Sequence, residues 1–85
     1  MPEIALIVGA GSGLSASLAR LFAREGMRVT LAARGADKLQ PLADEIGGSA
    51  WPCDATNPDH VAGLFASVER QIGVPDLVVF NAGYR

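Results

Sequence analysis

Three glycines, Gly9, Gly11 and Gly13, stand within five residues, directly after an apolar run and directly before an amphipathic segment. Glycine lets the backbone turn tightly and approach a ligand closely. The free N–H groups and the dipole of a helix that begins there attract an anion. This arrangement is typical of a pyrophosphate-binding turn, and we expect the three glycines, Ser12 and Leu14 to form one. The alternative is a tight strand-to-helix turn without a ligand.

A second candidate site for a charged ligand is Arg34, which follows Ala33 about 20 residues beyond the glycines. Folds that bind NAD place an acid at about this distance, where it bonds the ribose 2'-hydroxyl, whereas an Arg accommodates the 2'-phosphate of NADP. A guanidinium can meet a phosphate with two parallel N–H donors. The pair therefore predicts NADP as cofactor in preference to NAD. The alternative is that Arg34 is a solvated surface charge.

The elements that must position these residues alternate between strands and helices. Uniformly apolar runs predict buried strands, and apolar residues at intervals of three and four predict helices. The predicted strands are residues 4–8, 29–33, 50–53 and 77–80. The first helix is expected to span 14–24 and to bury Leu14, Leu18, Leu21 and Phe22.

Two prolines bear on the remaining helices. The second helix should carry Leu39, Leu42 and Ile46 on its apolar face, with Pro41 in its first turn. Asn57-Pro58 predicts an N-cap and first residue of the third helix, which Gly73 ends. The order β-α-β-α-β-α-β forces parallel strands with right-handed crossovers, so we predict an α/β fold with a Rossmann-type doubly wound parallel sheet.

The composition limits the classes of partner and the cellular compartment that fit this sequence. The chain has 85 residues, a formal net charge of -2 and 49% apolar residues. It has no basic run, so we expect no nucleic acid and no anionic membrane as partner. No apolar stretch approaches the roughly 20 residues that cross a bilayer. The single cysteine, Cys53, excludes an intramolecular disulfide and a thiolate metal site, and a cytoplasmic location fits.

Two motifs resemble the classical branch of the short-chain dehydrogenase/reductase family. Gly9 and Gly13 match its Gly-x-x-x-Gly-x-Gly turn, with Ser15 in the third place. The stretch from Asp76 to Gly83, Asp-Leu-Val-Val-Phe-Asn-Ala-Gly, is similar to its Asp-x-Leu-Val-Asn-Asn-Ala-Gly. The sequence departs from the pattern at Phe80, at Ser15 and at Val8, where the family usually has Thr.

The resemblance implies further cofactor contacts. Asn81 would support the central sheet, and the small Ala82 and Gly83 would let the adenosine ribose and the nicotinamide side approach the backbone. Asp54 would meet the adenine amino group, and the N–H of Ala55 a ring nitrogen. Alternatively, Asn81 and Gly83 only cap a strand, and Asp54 is a turn residue.

By the same resemblance the chain is part of an NAD(P)-dependent oxidoreductase that transfers hydride between NAD(P)H and a small carbonyl or alcohol substrate. Residues 1–85 would be the N-terminal, incomplete portion of its NAD(P)-binding domain. The family's Asn, Ser, Tyr and Lys proton relay would lie beyond Arg85, because the single lysine, Lys38, and the single tyrosine, Tyr84, cannot form Tyr-x-x-x-Lys. This chain alone therefore lacks the catalytic residues.

Several alternatives and expectations accompany this interpretation. The chain could instead be a complete small module that binds a nucleotide or a partner without catalysis. S-adenosylmethionine or a flavin nucleotide is a weaker alternative, against which the Asn-Ala-Gly motif and Arg34 argue. Homo-oligomers, as in most family members, would form through later helices.

Overall fold

The computed structural model describes residues 3–9 and 14–80. Its strands and helices follow one another in the predicted order. They are β1 (Ile4–Val8), α1 (Leu14–Arg24), β2 (Arg28–Ala33), α2 (Ala36–Ile46), β3 (Ser49–Pro52), α3 (Pro58–Gln71) and β4 (Leu77–Phe80).

The four strands form one parallel sheet in the order β3-β2-β1-β4. β1 pairs on both sides, and all five of its residues are buried, as its uniformly apolar sequence predicts. The chain thus winds from β1 outward to β3 and then returns across the sheet to place β4 on the other side of β1. This is the first part of the Rossmann strand order, and the predicted fold class is confirmed.

Helices cover both faces of the sheet. On one face α1 and α2 pack against β1 and β2, and the buried residues there are Ile7, Ala19, Val29, Leu31, Leu39 and Ala43. On the other face α3 packs against the sheet, and the buried residues there are Leu6, Val8, Ala32, Cys53, Leu64 and Val68. β1 and β2 therefore alternate their side chains between two apolar layers.

The face by which α1 contacts the sheet differs from the predicted one. Ser15 and Ala19 are completely buried, whereas Leu21 is 42% exposed, so its assignment to the buried face was wrong. Leu18 and Phe22 are partly buried against the core. Ser15, Ala19 and Phe22 are spaced by four and three residues, so they lie on one face of the helix. Small residues occupy the buried part of this face, and a search for large apolar residues overlooks them.

α2 begins earlier than expected. It starts at Ala36, so Pro41 lies at its sixth residue and not in its first turn. Its end is as predicted: Gly47 adopts a left-handed φ of 68°. The N–H of Gly48 donates to the carbonyl of Ala43 at 2.8 Å, which is the hydrogen bond of a Schellman C-terminus.

The two outer strands are short. β3 runs from Ser49 to Pro52, one residue earlier than predicted at each end, and β4 has the predicted bounds. β4 pairs only with β1 among the described residues, and Phe80 on it is 56% exposed. Two hydrogen bonds fix the start of β4: Ile4 N–H donates to Asp76 Oδ2 at 2.8 Å, and Asp76 N–H donates to the Ile4 carbonyl at 2.8 Å. Within residues 3–9 and 14–80, none of the helices is long and apolar enough to span a membrane.

Candidate functional site

The carboxyl ends of the parallel strands meet at one edge of the sheet. Val8 is the register partner of both Ala32 and Phe80, and Ala33 is the partner of Pro52. The segments that come after the strands therefore leave the sheet side by side. In open α/β sheets, ligands bind in the crevice outside this edge.

The first candidate residue at this edge is Gly9, directly after β1. Its φ of 82° lies in the left-handed region, which side chains other than that of glycine rarely tolerate. Its N–H donates to the carbonyl of Ala32 at 2.8 Å, which holds the turn against β2. Gly11, Ser12 and Gly13 lie outside the described residues. Leu14, the last residue of the predicted pyrophosphate turn, is the first residue of α1, so the strand-to-helix context of the motif is present.

Ser15, in the third place of the glycine motif, is a packing residue. Its side chain is completely buried between α1 and the sheet. It therefore has no surface to offer a ligand, and it permits the close approach of helix and strand for which this position selects small residues.

Arg34 follows β2 and is exposed at the same edge. It forms no hydrogen bond or ion pair with any residue that the structure describes. Behind it, the side chain of Lys38 lies over Gly35, with its Cδ 3.6 Å from the position that a Cβ on Gly35 would take. Two cationic side chains thus lie at the β2–α2 turn, and the charge of Arg34 acts on Asp54 across the edge.

Asp54 lies two residues beyond β3, and Thr56 orients its carboxylate. Asp54 Oδ1 accepts from the Thr56 hydroxyl at 2.7 Å and from the Thr56 N–H at 3.0 Å. Asp54 Oδ2 has no hydrogen bond to the described residues. The Thr56 hydroxyl is the main cause that lowers the pKa of Asp54; the backbone N–H of Thr56, the charge of Arg34 and, when it is protonated, His60 lower that pKa further. The carboxylate is therefore ionised at neutral pH and keeps one oxygen available as an acceptor.

The start of α3 completes this turn. The Oδ1 of Asn57 accepts from the N–H groups of Asp59 and His60, which confirms the predicted N-cap, with Pro58 as the first helical residue. The Nδ1 of His60 accepts from the N–H of Asp54 at 3.3 Å. Sequence reasoning missed this contact and the one from Thr56. The Asp-x-Thr spacing of Asp54 and Thr56 is a turn signal that could have shown the second of them.

The structure thus places Gly9, Arg34, Asp54 and Ala55 at one edge of the sheet. Asn81, Ala82 and Gly83, which come after β4, lie outside the described residues. Cys53 is buried beside Asp54, and burial, together with the smaller effect of the Asp54 charge, raises the pKa of its thiol. This residue packs in the core and is not a reactive thiolate. The described residues contain no cluster of His, Cys, Asp and Glu that could hold a metal ion.

An open parallel sheet in this order, with helices on both faces and a glycine turn after its central strand, defines a Rossmann-type α/β protein. A sequence profile described as Enoyl-(Acyl carrier protein) reductase matches residues 9–85. The chain belongs to the short-chain dehydrogenase/reductase family.

Relatives of known sequence are similar over nearly the whole chain. An uncharacterized oxidoreductase of Staphylococcus aureus strain N315 is 37% identical over 84 residues, which is 95% of this chain and 36% of the relative. An uncharacterized oxidoreductase of Caenorhabditis elegans is 40% identical over 87 residues, covering 94% of this chain and 28% of the relative. The chain thus spans about a third of the length of these relatives, and the comparisons support an oxidoreductase.

Two solved structures that contain NADPH or NADP have the same fold. A variant of actinorhodin polyketide ketoreductase with NADPH superposes with a TM-score of 0.89 at 33% identity, over 98% of this chain and 34% of that chain. A metagenomic short-chain oxidoreductase in complex with NADP superposes with a TM-score of 0.87 at 32% identity, over 96% of this chain and 39% of that chain.

Proposed function

We propose that this chain supplies the NADP(H)-binding part of an oxidoreductase that transfers hydride between the nicotinamide and a small carbonyl or alcohol substrate. When bound, the nicotinamide would donate or accept the hydride, and the described residues would bind and orient the dinucleotide. The observation that carries the choice of NADP is Arg34, exposed at the carboxyl end of β2 directly after Ala33. No acid precedes it to bond a 2'-hydroxyl or to repel a 2'-phosphate.

The described residues fit the parts of a dinucleotide in order along the edge. Gly9 opens the turn expected at the pyrophosphate, and Arg34 would contact the 2'-phosphate with its guanidinium, which no described residue pairs. By family resemblance the free Oδ2 of Asp54 would accept from the adenine amino group. The solved relatives with NADPH and NADP support the same assignment. A single buried thiol, Cys53, fits a reducing compartment, and we propose the cytoplasm.

The test is a comparison of NADP(H) and NAD(H) binding to the protein and to Arg34→Ala. A charge-assisted hydrogen bond contributes about 1.5 to 3 kcal/mol, or roughly ten- to a hundredfold in affinity. We expect Arg34→Ala to weaken NADP(H) binding by about tenfold, the lower value, because the side chain is exposed. NAD(H) binding should change little, since the glycine turn serves both cofactors.

Arg70→Ala is the matched control. Arg70 is an exposed arginine in the last turn of α3, toward the opposite edge of the sheet, so its removal changes the net charge equally without touching the site. Binding of both cofactors should survive it. Equal losses of the two cofactors in Arg34→Ala would show that Arg34 serves the fold, and a preference of the unmutated protein for NAD(H) would end the assignment.

A further inference from the structure

The side chain of His60 reaches back from the first turn of α3 to the backbone of the preceding turn. Its Nδ1 accepts from the N–H of Asp54 at 3.3 Å, while the backbone N–H of His60 donates to the Oδ1 of Asn57 at 3.3 Å. The donor to Nδ1 is a backbone N–H, so the ring nitrogen must be the acceptor and must carry no proton. The charge state of one exposed imidazole is therefore coupled to the backbone conformation at Asp54.

This hydrogen bond holds the peptide group next to both proposed adenine contacts. Along the chain, the Asp54 carboxylate and the Ala55 N–H come directly after this bonded N–H. Thr56 holds Oδ1 of the carboxylate and not Oδ2, which is the proposed acceptor for the adenine amino group. We propose that His60 is a positioning residue for the adenine end of the dinucleotide. Its neutral imidazole holds the backbone at Asp54 in the conformation that binds the adenine, and its protonated imidazole releases that backbone. The inference rests on the proposed function, because it assigns Asp54 and Ala55 to the adenine.

The charged groups around this turn determine the effect of protonating the imidazole. Asp54 and Asp59 are the anions nearest in sequence to the imidazole, and Arg34 is the cation that acts on the same carboxylate. Both Arg34 and the N-terminal end of the α3 dipole oppose a positive imidazole, whereas the Asp54 carboxylate attracts one. An imidazolium can no longer accept the hydrogen bond from the Asp54 N–H. It would also compete with the adenine amino group for the free oxygen of the Asp54 carboxylate. Acid should therefore weaken binding of the adenine end.

His60→Asn and His60→Leu separate the acceptor from the titration. The Oδ1 of Asn branches from Cγ as the Nδ1 of His does, so it supplies an acceptor that does not change charge. Leu supplies none. The probe is ADP-ribose, which carries the adenine and the pyrophosphate but no 2'-phosphate, so that titration of a phosphate monoester near pH 6 does not enter.

Calorimetric titration between pH 8 and pH 5.5, the range in which histidines usually change charge, gives the readout. We expect the unmutated protein to lose about three- to tenfold in affinity as the pH falls, the value of one hydrogen bond. His60→Asn should keep the alkaline affinity throughout, and His60→Leu should have the weakened affinity throughout. A pH dependence in His60→Asn equal to that of the unmutated protein would assign the titration to another group and overturn the inference.

A second measurement keeps the inference testable if the proposed function fails. Should ADP-ribose bind none of the three proteins at any pH, the assignment of the site to a dinucleotide is refuted. The Asp54 amide in a ¹H–¹⁵N spectrum then decides whether the coupling exists. It should shift between pH 8 and pH 5.5 in the unmutated protein and stay in place in His60→Asn; an amide that does not shift in the unmutated protein overturns the coupling as well.

Discussion

Adding one methyl group at either of two glycines should change the stability of the fold in opposite directions. A Cβ on Gly48, in the turn between α2 and β3, would overlap the carbonyl oxygen of Val29 and lie 3.2 Å from its carbonyl carbon. A Cβ on Gly63, in the middle of α3, would meet nothing within 4 Å. Gly48→Ala therefore forces a steric conflict, and Gly63→Ala does not.

The conflict at Gly48 cannot be relieved by a side-chain rotation, because the obstacle is backbone. Val29 is buried in β2, which is paired to β1 on one side and to β3 on the other. Relief requires β3 or the end of α2 to move. Overpacking typically costs about 1 to 3 kcal/mol, and we take about 2 to 3 kcal/mol for an overlap with backbone. Gly63→Ala should instead stabilise by about 0.5 to 1 kcal/mol, the difference in helix propensity.

Thermal and urea unfolding of the two variants beside the unmutated protein measures both effects. For a domain of this size 1 kcal/mol shifts the Tm by roughly 4 to 8 °C, so Gly48→Ala should lower the Tm by about 10 °C or more, and Gly63→Ala should raise it by about 4 °C. Unchanged m-values would show that both variants unfold from the same native state. A Gly48→Ala variant as stable as the unmutated protein would refute the described approach of the α2–β3 turn to β2.

Two further predictions concern Thr56 and the outer edge of β4. Thr56→Val should raise the pKa of Asp54 toward its ordinary value, since the Thr56 hydroxyl is the main cause that lowers it. Because a lowered carboxyl pKa stabilises the folded state above the unfolded pKa, the variant should be less stable than the unmutated protein at neutral pH, and this difference should vanish as the pH falls through the folded pKa. NMR titration of the carboxyl gives the measurement, with Thr56→Ser as the control. The 85-residue polypeptide should self-associate with rising concentration, because the outer edge of β4 is unpaired among the described residues and Phe80 is 56% exposed. Val78→Lys should reduce this association in sedimentation experiments, and a polypeptide that is monomeric at every concentration would contradict it.

Strands that are uninterrupted apolar runs in the sequence were predicted with correct bounds. β1 and β4 are uninterrupted apolar runs between punctuating residues, and the N-cap of α3 follows from the types of Asn57 and Pro58. The predicted topology also holds, because strands alternating with helices leave one handedness for each crossover. These features depend on residues close in sequence.

Features set by packing were predicted less well. The start of α2 was misjudged because Pro41 was taken as a marker of the first turn, although Ala36 and its neighbours continue the helix on its N-terminal side. Leu21 was assigned to the buried face by size, while Ser15 and Ala19 occupy it. Of the candidate site, the strand-end positions of Arg34 and Asp54 could be predicted from periodicity. The contacts of Asp54 with Thr56 and His60 could not, since they depend on how one turn folds back on itself.

The strand order has a consequence for the sequence of events during synthesis. β1 is synthesised well before β4, so one of its two edges finds its partner only after residues 77–80 have left the ribosome. Until then residues 4–52 can assemble as a three-stranded unit with β2 at its centre and β1 at one side, and the outer edge of β1 stays uncovered. Chains are synthesised at about 5 to 20 residues per second, so this edge of β1 stays open for about a second or more after β3 is made. Asp76, which lies 72 positions beyond Ile4 and forms two hydrogen bonds with it, would begin the closure of this edge. A chaperone that binds exposed strand edges would find its target before that contact forms.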